Sequence, residues 1–136
     1  CMNLKFFGVI ILLTFSAAVS NAVMDTLQFR YEQSVFANDS FSEAYFNPKV
    51  SWKNKWKNGD PKEGERYLGS STVFVLFTDA WHLAQFFMFS FFELIFVYTY
   101  YFFKKPKWYV LILQFLVLHF VLGSSFELFF SKLFIA

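Results

Sequence analysis

Three stretches of the chain are almost continuously apolar, and a longer polar stretch separates the first from the other two. The first runs from about Leu4 to Met24 and reads LKFFGVIILLTFSAAVSNAVM. The second runs from about Thr72 to Phe103 and the third from about Trp108 to Phe134. A helix crossing the hydrocarbon core needs about 20 such residues, so each stretch predicts one transmembrane helix. Only Lys104-Lys105-Pro106-Lys107 interrupts the second and third. A break that short predicts an antiparallel helical hairpin, with Pro106 at a helix boundary because proline cannot continue a helix.

Polar positions inside these stretches follow a helical period. In the first, Thr14, Ala17, Ala18, Asn21, Asp25, Gln28 and Glu32 recur at three- and four-residue spacing. In the second, with about 100° per residue, Asp79, His82, Ser90, Glu93 and Tyr100 fall within an arc of about 80°. In the third, His119, Gly123 and Glu127 form a stripe of fours. Each predicted span therefore carries one polar or small face, and three such faces pointing together make a bundle with a polar seam.

Depth sorts the seam into two layers. At about 1.5 Å per residue from Phe103 and Trp108, Glu93 and His119 lie about 15 and 16 Å deep, the middle of a core about 30 Å thick. Neighbouring antiparallel helices would bring them level as an intramembrane polar pair. One role for the pair is to fix helix rotation and register; the other is to share a proton or contact a substrate. Asp79, His82 and Glu127 fall near the opposite boundary, where Asp25 ends the first span. Three carboxylates and an imidazole suit a divalent metal such as zinc or manganese, which could activate water against a lipid ester or phosphate. The Asp79-x-x-His82 spacing matches no established metal motif. Asp79 is also a possible helix cap, but Ser70, Ser71 and Thr72 stand closer to the expected helix start and are the better candidates.

The polar loop, about 33–69, contains Asn47-Pro48 and Asn58-Gly59-Asp60-Pro61, both turn signals. Between them, Trp52 and Trp56 are spaced to share one face of a helix, with Lys53 and Lys57 beside them. That predicts an interfacial segment with indoles at headgroup level and lysines on lipid phosphates. The other reading is a solvated loop whose tryptophans pack on their neighbours.

Composition agrees with a membrane protein and adds little about chemistry. The 136 residues are 57% hydrophobic and 25% aromatic, with 23 Phe and only 16% charged residues, where soluble domains carry about 25% charge. A net charge of +2 is too small to predict nucleic-acid binding, and acids beside the loop lysines cancel their field. The lone Cys1 allows no intrachain disulfide; it precedes Met2, which reads as the natural start. Lys5 followed by FFGVIILLTF and Ser20-Asn21-Ala22 also resembles a signal peptide, but we read it as a retained span. Lys5 and the hairpin lysines cluster without acids, which favours a cytoplasmic N-terminus and an extracytoplasmic long loop.

The sequence thus predicts an all-α integral membrane protein of three transmembrane helices in one domain, with a polar loop of about 40 residues. No phosphate-binding glycine loop, Ser-His-Asp order, CxxC pair or internal repeat is present. Three short spans shield little volume, so the leading expectation is an accessory or assembly subunit of a homo-oligomer or larger membrane complex in the lipid bilayer. The alternatives are a membrane-embedded, metal-dependent enzyme acting on a lipid-like substrate at the outer interface, and a proton or ion pathway along the two layers.

Overall fold

The structure is a computed structural model that describes residues 3–37 and 40–128, except the side chains of 40–42 and 127. Cys1 and the last residues of the third apolar stretch, 129–134, lie outside the described residues. All regular structure among the described residues is helical, apart from an isolated bridge between Trp56 and Glu65. The long helices are α1 (Leu4–Phe29), α4 (Ala80–Lys104) and α5 (Trp108–Leu128); two short ones, α2 (Ser40–Phe46) and α3 (Pro48–Ser51), lie between. Leu4–Phe29, Ala80–Lys104 and Trp108–Phe126 are long and apolar enough to cross a membrane.

Two helix boundaries differ from those expected. The first helix continues to Phe29, because Asn21, Asp25 and Gln28 project from its exposed side and do not interrupt the backbone ladder. Asp25 is therefore within α1 and not at its end. The helix α4 begins at Ala80, eight residues later than the apolar run suggested. Gly69 explains part of this: at φ +77° it takes the left-handed conformation that favours glycine. Phe74 N–H then donates to its carbonyl at 2.8 Å. The chain turns again in a 3-10 segment at Val75–Phe77, so residues 72–78 are apolar without being part of the long helix. Ser70, Ser71 and Thr72 consequently cap nothing in α4; Asp79 does.

The chain forms two compact units, Ala18–Met88, and Cys1–Ala17 with Phe89–Ala136. In the first, short helices and 3-10 turns are pinned by side chains. Asn47 accepts from Lys49 N–H at 3.0 Å and caps α3, with Pro48 at its first position; Asp60 does the same for Lys62 N–H at 2.9 Å. The Trp52–Lys57 segment is a 3-10 turn over Trp52–Lys55 followed by extended backbone at Trp56, so the predicted single helical face bearing both tryptophans is not formed. Trp56 pairs with Glu65 while Trp52 is exposed, with Lys53 Nζ 5.9 Å from its ring centroid.

Aromatic and polar contacts hold the second unit. Phe6 meets Phe102 at a ring separation of 4.5 Å and Tyr98 at 5.6 Å, and Phe89 meets Phe126 at 6.3 Å. The end of α4 is closed by Lys105 at φ +46°, whose N–H donates to Tyr101 C=O at 2.9 Å. Pro106 follows, as is common after a left-handed cap.

Candidate functional site

Asp79 and His82 are brought together at the start of α4. An N-cap carboxylate accepts an N–H otherwise left without a helical partner, and Asp79 Oδ1 accepts from His82 N–H at 2.9 Å. That contact sets the spacing at which the His82 ring folds back. Its Nδ1 lies 2.7 Å from both carboxylate oxygens. The Thr78 hydroxyl sits 3.0 Å from Asp79 Oδ2 and 2.7 Å from the Val75 carbonyl. Asp79 is only 3% exposed. Burial alone would push its carboxyl up, but the hydrogen bonds from the His82 ring and the His82 backbone N–H, with the Thr78 hydroxyl, outweigh it. They hold the group below the ordinary aspartate value.

The far side of the imidazole faces a lysine. His82 Nε2 lies 3.3 Å from Lys55 Nζ, and an ammonium can only donate. With Nδ1–H donating to Asp79, Nε2 accepts from Lys55 and the ring is neutral. The tautomer is thus set from both ends, Lys55 to His82 to Asp79. His82 keeps 22% of its side-chain surface exposed, while the carboxylate behind it keeps only 4%.

Lys55 is placed by a closely bonded loop. Asn54 uses both amide protons, donating to the Ala44 carbonyl at 2.7 Å and the Thr78 carbonyl at 2.9 Å. This ties the residue before Lys55 to the residue before Asp79. The Lys55 carbonyl accepts from Arg66 N–H at 2.9 Å and from the fully buried Ser70 hydroxyl at 2.7 Å. Glu65 in turn accepts from Gly69 N–H, Ser71 N–H and the Ser71 hydroxyl. Those bonds hold its carboxyl below the usual glutamate value. Tyr45 stands close enough for burial first, then the Asp79 charge, to push its phenol up.

Of the predicted four-residue metal layer, the described side chains bring together Asp79 and His82. Asp25 is exposed and accepts from Asn21 Nδ2 at 3.4 Å, and the Glu127 side chain lies outside the described residues. Among the described residues no three His, Cys, Asp or Glu side chains gather as a metal site. Both Asp79 oxygens are directed to protein donors at the helix start, which is the physical reason the pair reads as an oriented histidine.

In the other unit, His119 Nδ1 lies 3.0 and 3.1 Å from the two Glu93 oxygens. Glu93 is 1% exposed and His119 about a third exposed. One helical turn before Glu93, Ser90 Oγ is buried without a hydrogen-bond partner among the described residues.

Sequence reasoning singled out Asp79 and His82 but missed Lys55, Asn54, Thr78, Ser70 and Tyr45. Lys55 is one of four lysines between positions 49 and 57, and nothing in its local pattern separates it from the other three. Comparison with protein families, with characterised proteins and with solved structures returned no match.

Proposed function

We propose that this integral membrane protein carries an acid–base centre at the membrane boundary, with His82 as the proton-accepting group acting on a lipid-like ester. The observation that carries this reading is the His82 ring, held from behind by a buried carboxylate with Nε2 presented beside a cation. A base oriented by a third group is the arrangement general-base catalysis needs. No serine or threonine hydroxyl is bonded to His82 among the described residues; Ser70 and Thr78 are spent on backbone carbonyls and Asp79. Water is therefore the nucleophile. His82 Nε2 takes one proton from it as the oxygen attacks the ester centre, and returns that proton to the departing alkoxide. Asp79 is a positioning residue, and Lys55 offsets the charge that develops on the attacked group.

In this reading Ala80–Lys104 and Trp108–Leu128 form an antiparallel hairpin, a geometry supported by the Glu93–His119 and Phe89–Phe126 pairs. The N-terminus and the hairpin lysines lie in the cytoplasm. The centre then faces the outer leaflet, and Trp52, Trp56, Lys53 and Lys57 contact the interface.

The test is lipid turnover. Purified protein is incubated with the total lipid extract of its native membrane, and products are followed by mass spectrometry. Wild type is expected to convert one lipid class, and His82→Ala to lose that conversion by on the order of 10²–10⁴-fold. Identical lipid profiles for wild type, His82→Ala and a protein-free control would overturn the proposal.

A second reading is favoured by one observation. No residue in the apolar window of Trp108–Phe126 is buried, and few are in Leu4–Phe29. Spans this open suit an accessory or assembly subunit in a homo-oligomer or larger complex. Native-membrane purification would then return a stoichiometric partner or a defined oligomer; a monodisperse monomer would sink that reading.

A further inference from the structure

We propose that Lys55 and His82 Nε2 form a binding site for a phosphate group, and that the arriving phosphate switches the histidine on. This rests on the acid–base reading above and names the substrate class of the same centre. As the structure stands, the Nε2 lone pair is covered by the Lys55 ammonium at 3.3 Å, and a covered lone pair accepts no proton from water. The base works only when Lys55 lets go, so something must attract the ammonium more strongly than a neutral imidazole does.

Among the described residues the protein supplies no such attraction. Glu32 is paired with Lys49 at 2.8 Å. Glu65 is turned to Gly69 and Ser71, Asp60 to Lys62 N–H, Glu63 to Asn58 and Glu43 to Asn47. Asp79, the nearest acid in the chain of contacts, lies behind the ring and is occupied by His82 and Thr78. Lys55 has no carboxylate within ion-pair distance among the described residues. It is a half-buried cation anchored by its own backbone and aimed at an imidazole.

The ammonium now bonds a neutral acceptor, whereas an anionic phosphate oxygen adds the attraction of opposite charges to the hydrogen bond, so a phosphate oxygen outcompetes Nε2 for the ammonium. Once Lys55 turns to the phosphate, Nε2 is uncovered beside the bound group, and the base becomes available only when substrate is present. The site begins one residue before the span that starts at Ala80, which places it where a phospholipid headgroup sits; free phosphate offers the same oxygens.

Uniformly nitrogen-15-labelled histidine resolves this in detergent-solubilised full-length protein, with His119→Asn to assign the second ring. Short-chain phosphatidylglycerol, the zwitterionic phosphatidylcholine, or inorganic phosphate is titrated while the His82 Nε2 resonance is followed. The expected result is a saturable shift with phosphatidylglycerol in wild type and in Lys55→Arg. Lys55→Met should weaken it roughly ten- to a hundred-fold. A matching response to inorganic phosphate assigns the site to the free anion; a response to the lipid alone assigns it to the headgroup. A His82 resonance indifferent to both, or a shift that survives unchanged in Lys55→Met, overturns the proposal. Lipid turnover measured on the same samples separates the two ideas. Turnover without an Nε2 response removes the phosphate switch and leaves the base. A response without turnover removes the catalytic reading and leaves the binding site.

Discussion

Asp79 does two jobs for His82 at once: its Oδ1 accepts the His82 backbone N–H at 2.9 Å, and both its oxygens stand 2.7 Å from the same residue's ring Nδ1. The helix start and the histidine's tautomer therefore depend on one carboxylate. Replacing it by asparagine keeps the size and an acceptor oxygen but removes the charge. Asparagine caps a helix about as well as aspartate, so Asp79→Asn should cost only about 0.3–1 kcal/mol of stability, through the charge lost at the helix start, and let the imidazole exchange tautomers. Thermal unfolding and the nitrogen-15 shifts of His82 read the two effects separately. A variant with wild-type tautomer signals would show that the carboxylate does not orient the ring.

The same carboxylate makes the loop unit sensitive to acid. Its native value is held below that of an unfolded aspartate. Its contribution is thus complete above the unfolded value and is lost as pH falls through the native one. Glu65, also held low by its bonds to Ser71 and Gly69, acts with the same sign. Stability should fall on acidification below the ordinary carboxylate range, and Asp79→Asn should flatten that dependence. Equal acid sensitivity in wild type and variant would mean that other groups control it.

Gly69 is the turn that delays α4. At φ +77° a side chain is strained, and an added Cβ would stand 3.1 Å from Phe74 Cδ2. Gly69→Ala should destabilise the loop by roughly 1–2 kcal/mol and loosen Ser70 and the Lys55 carbonyl it bonds. Hydrogen exchange at the Arg66 amide, which donates to that carbonyl, is the local readout. Unchanged protection there would uncouple Gly69 from the site.

Within the spans, Glu93 and His119 are worth testing as a pair. Leaving one partner alone strands a polar group in hydrocarbon, whereas removing both leaves only packing to adjust. Glu93→Leu and His119→Leu should each destabilise. The double variant should cost less than their sum, with a coupling of about 1 kcal/mol, the scale of hydrogen bonds between membrane helices. Strict additivity in a double-mutant cycle would show that the contact contributes nothing to stability.

How much of this was readable in advance follows from the range of the interactions. Apolar runs of span length and a helical polar period are local properties, so the three long helices were visible. So was the meeting of Glu93 with His119, because the two stand at nearly equal distances in sequence from the same short break. The start of α4 was misjudged because residues 72–78 are as apolar as the helix itself. The difference lies in Gly69 and in an aspartate whose capping role depends on where the helix begins. Lys55 was invisible because its partner is 27 positions away, and its location is fixed by Asn54, Ser70 and Arg66, none of which carries a pattern. Asp25 was grouped with Asp79 because its span was expected to end there, whereas α1 runs on to Phe29.

Ser90 breaks a rule that its neighbours obey. Thr14, Ser16, Thr99 and Ser124 each donate to the carbonyl four residues earlier, at 2.6 to 2.9 Å. Ser90 Oγ is instead buried with no partner among the described residues. An unsatisfied hydroxyl costs about 1–3 kcal/mol of desolvation, and alanine removes it while leaving a cavity of one oxygen atom. Ser90→Ala should therefore be neutral or stabilising, where Ser→Ala at the other positions removes a formed bond. Reversible unfolding in mixed micelles compares Ser90→Ala with Ser124→Ala directly. A clear loss of stability at position 90 would mean that the hydroxyl is satisfied in the membrane, by a bound water or a group beyond this chain, next to Glu93.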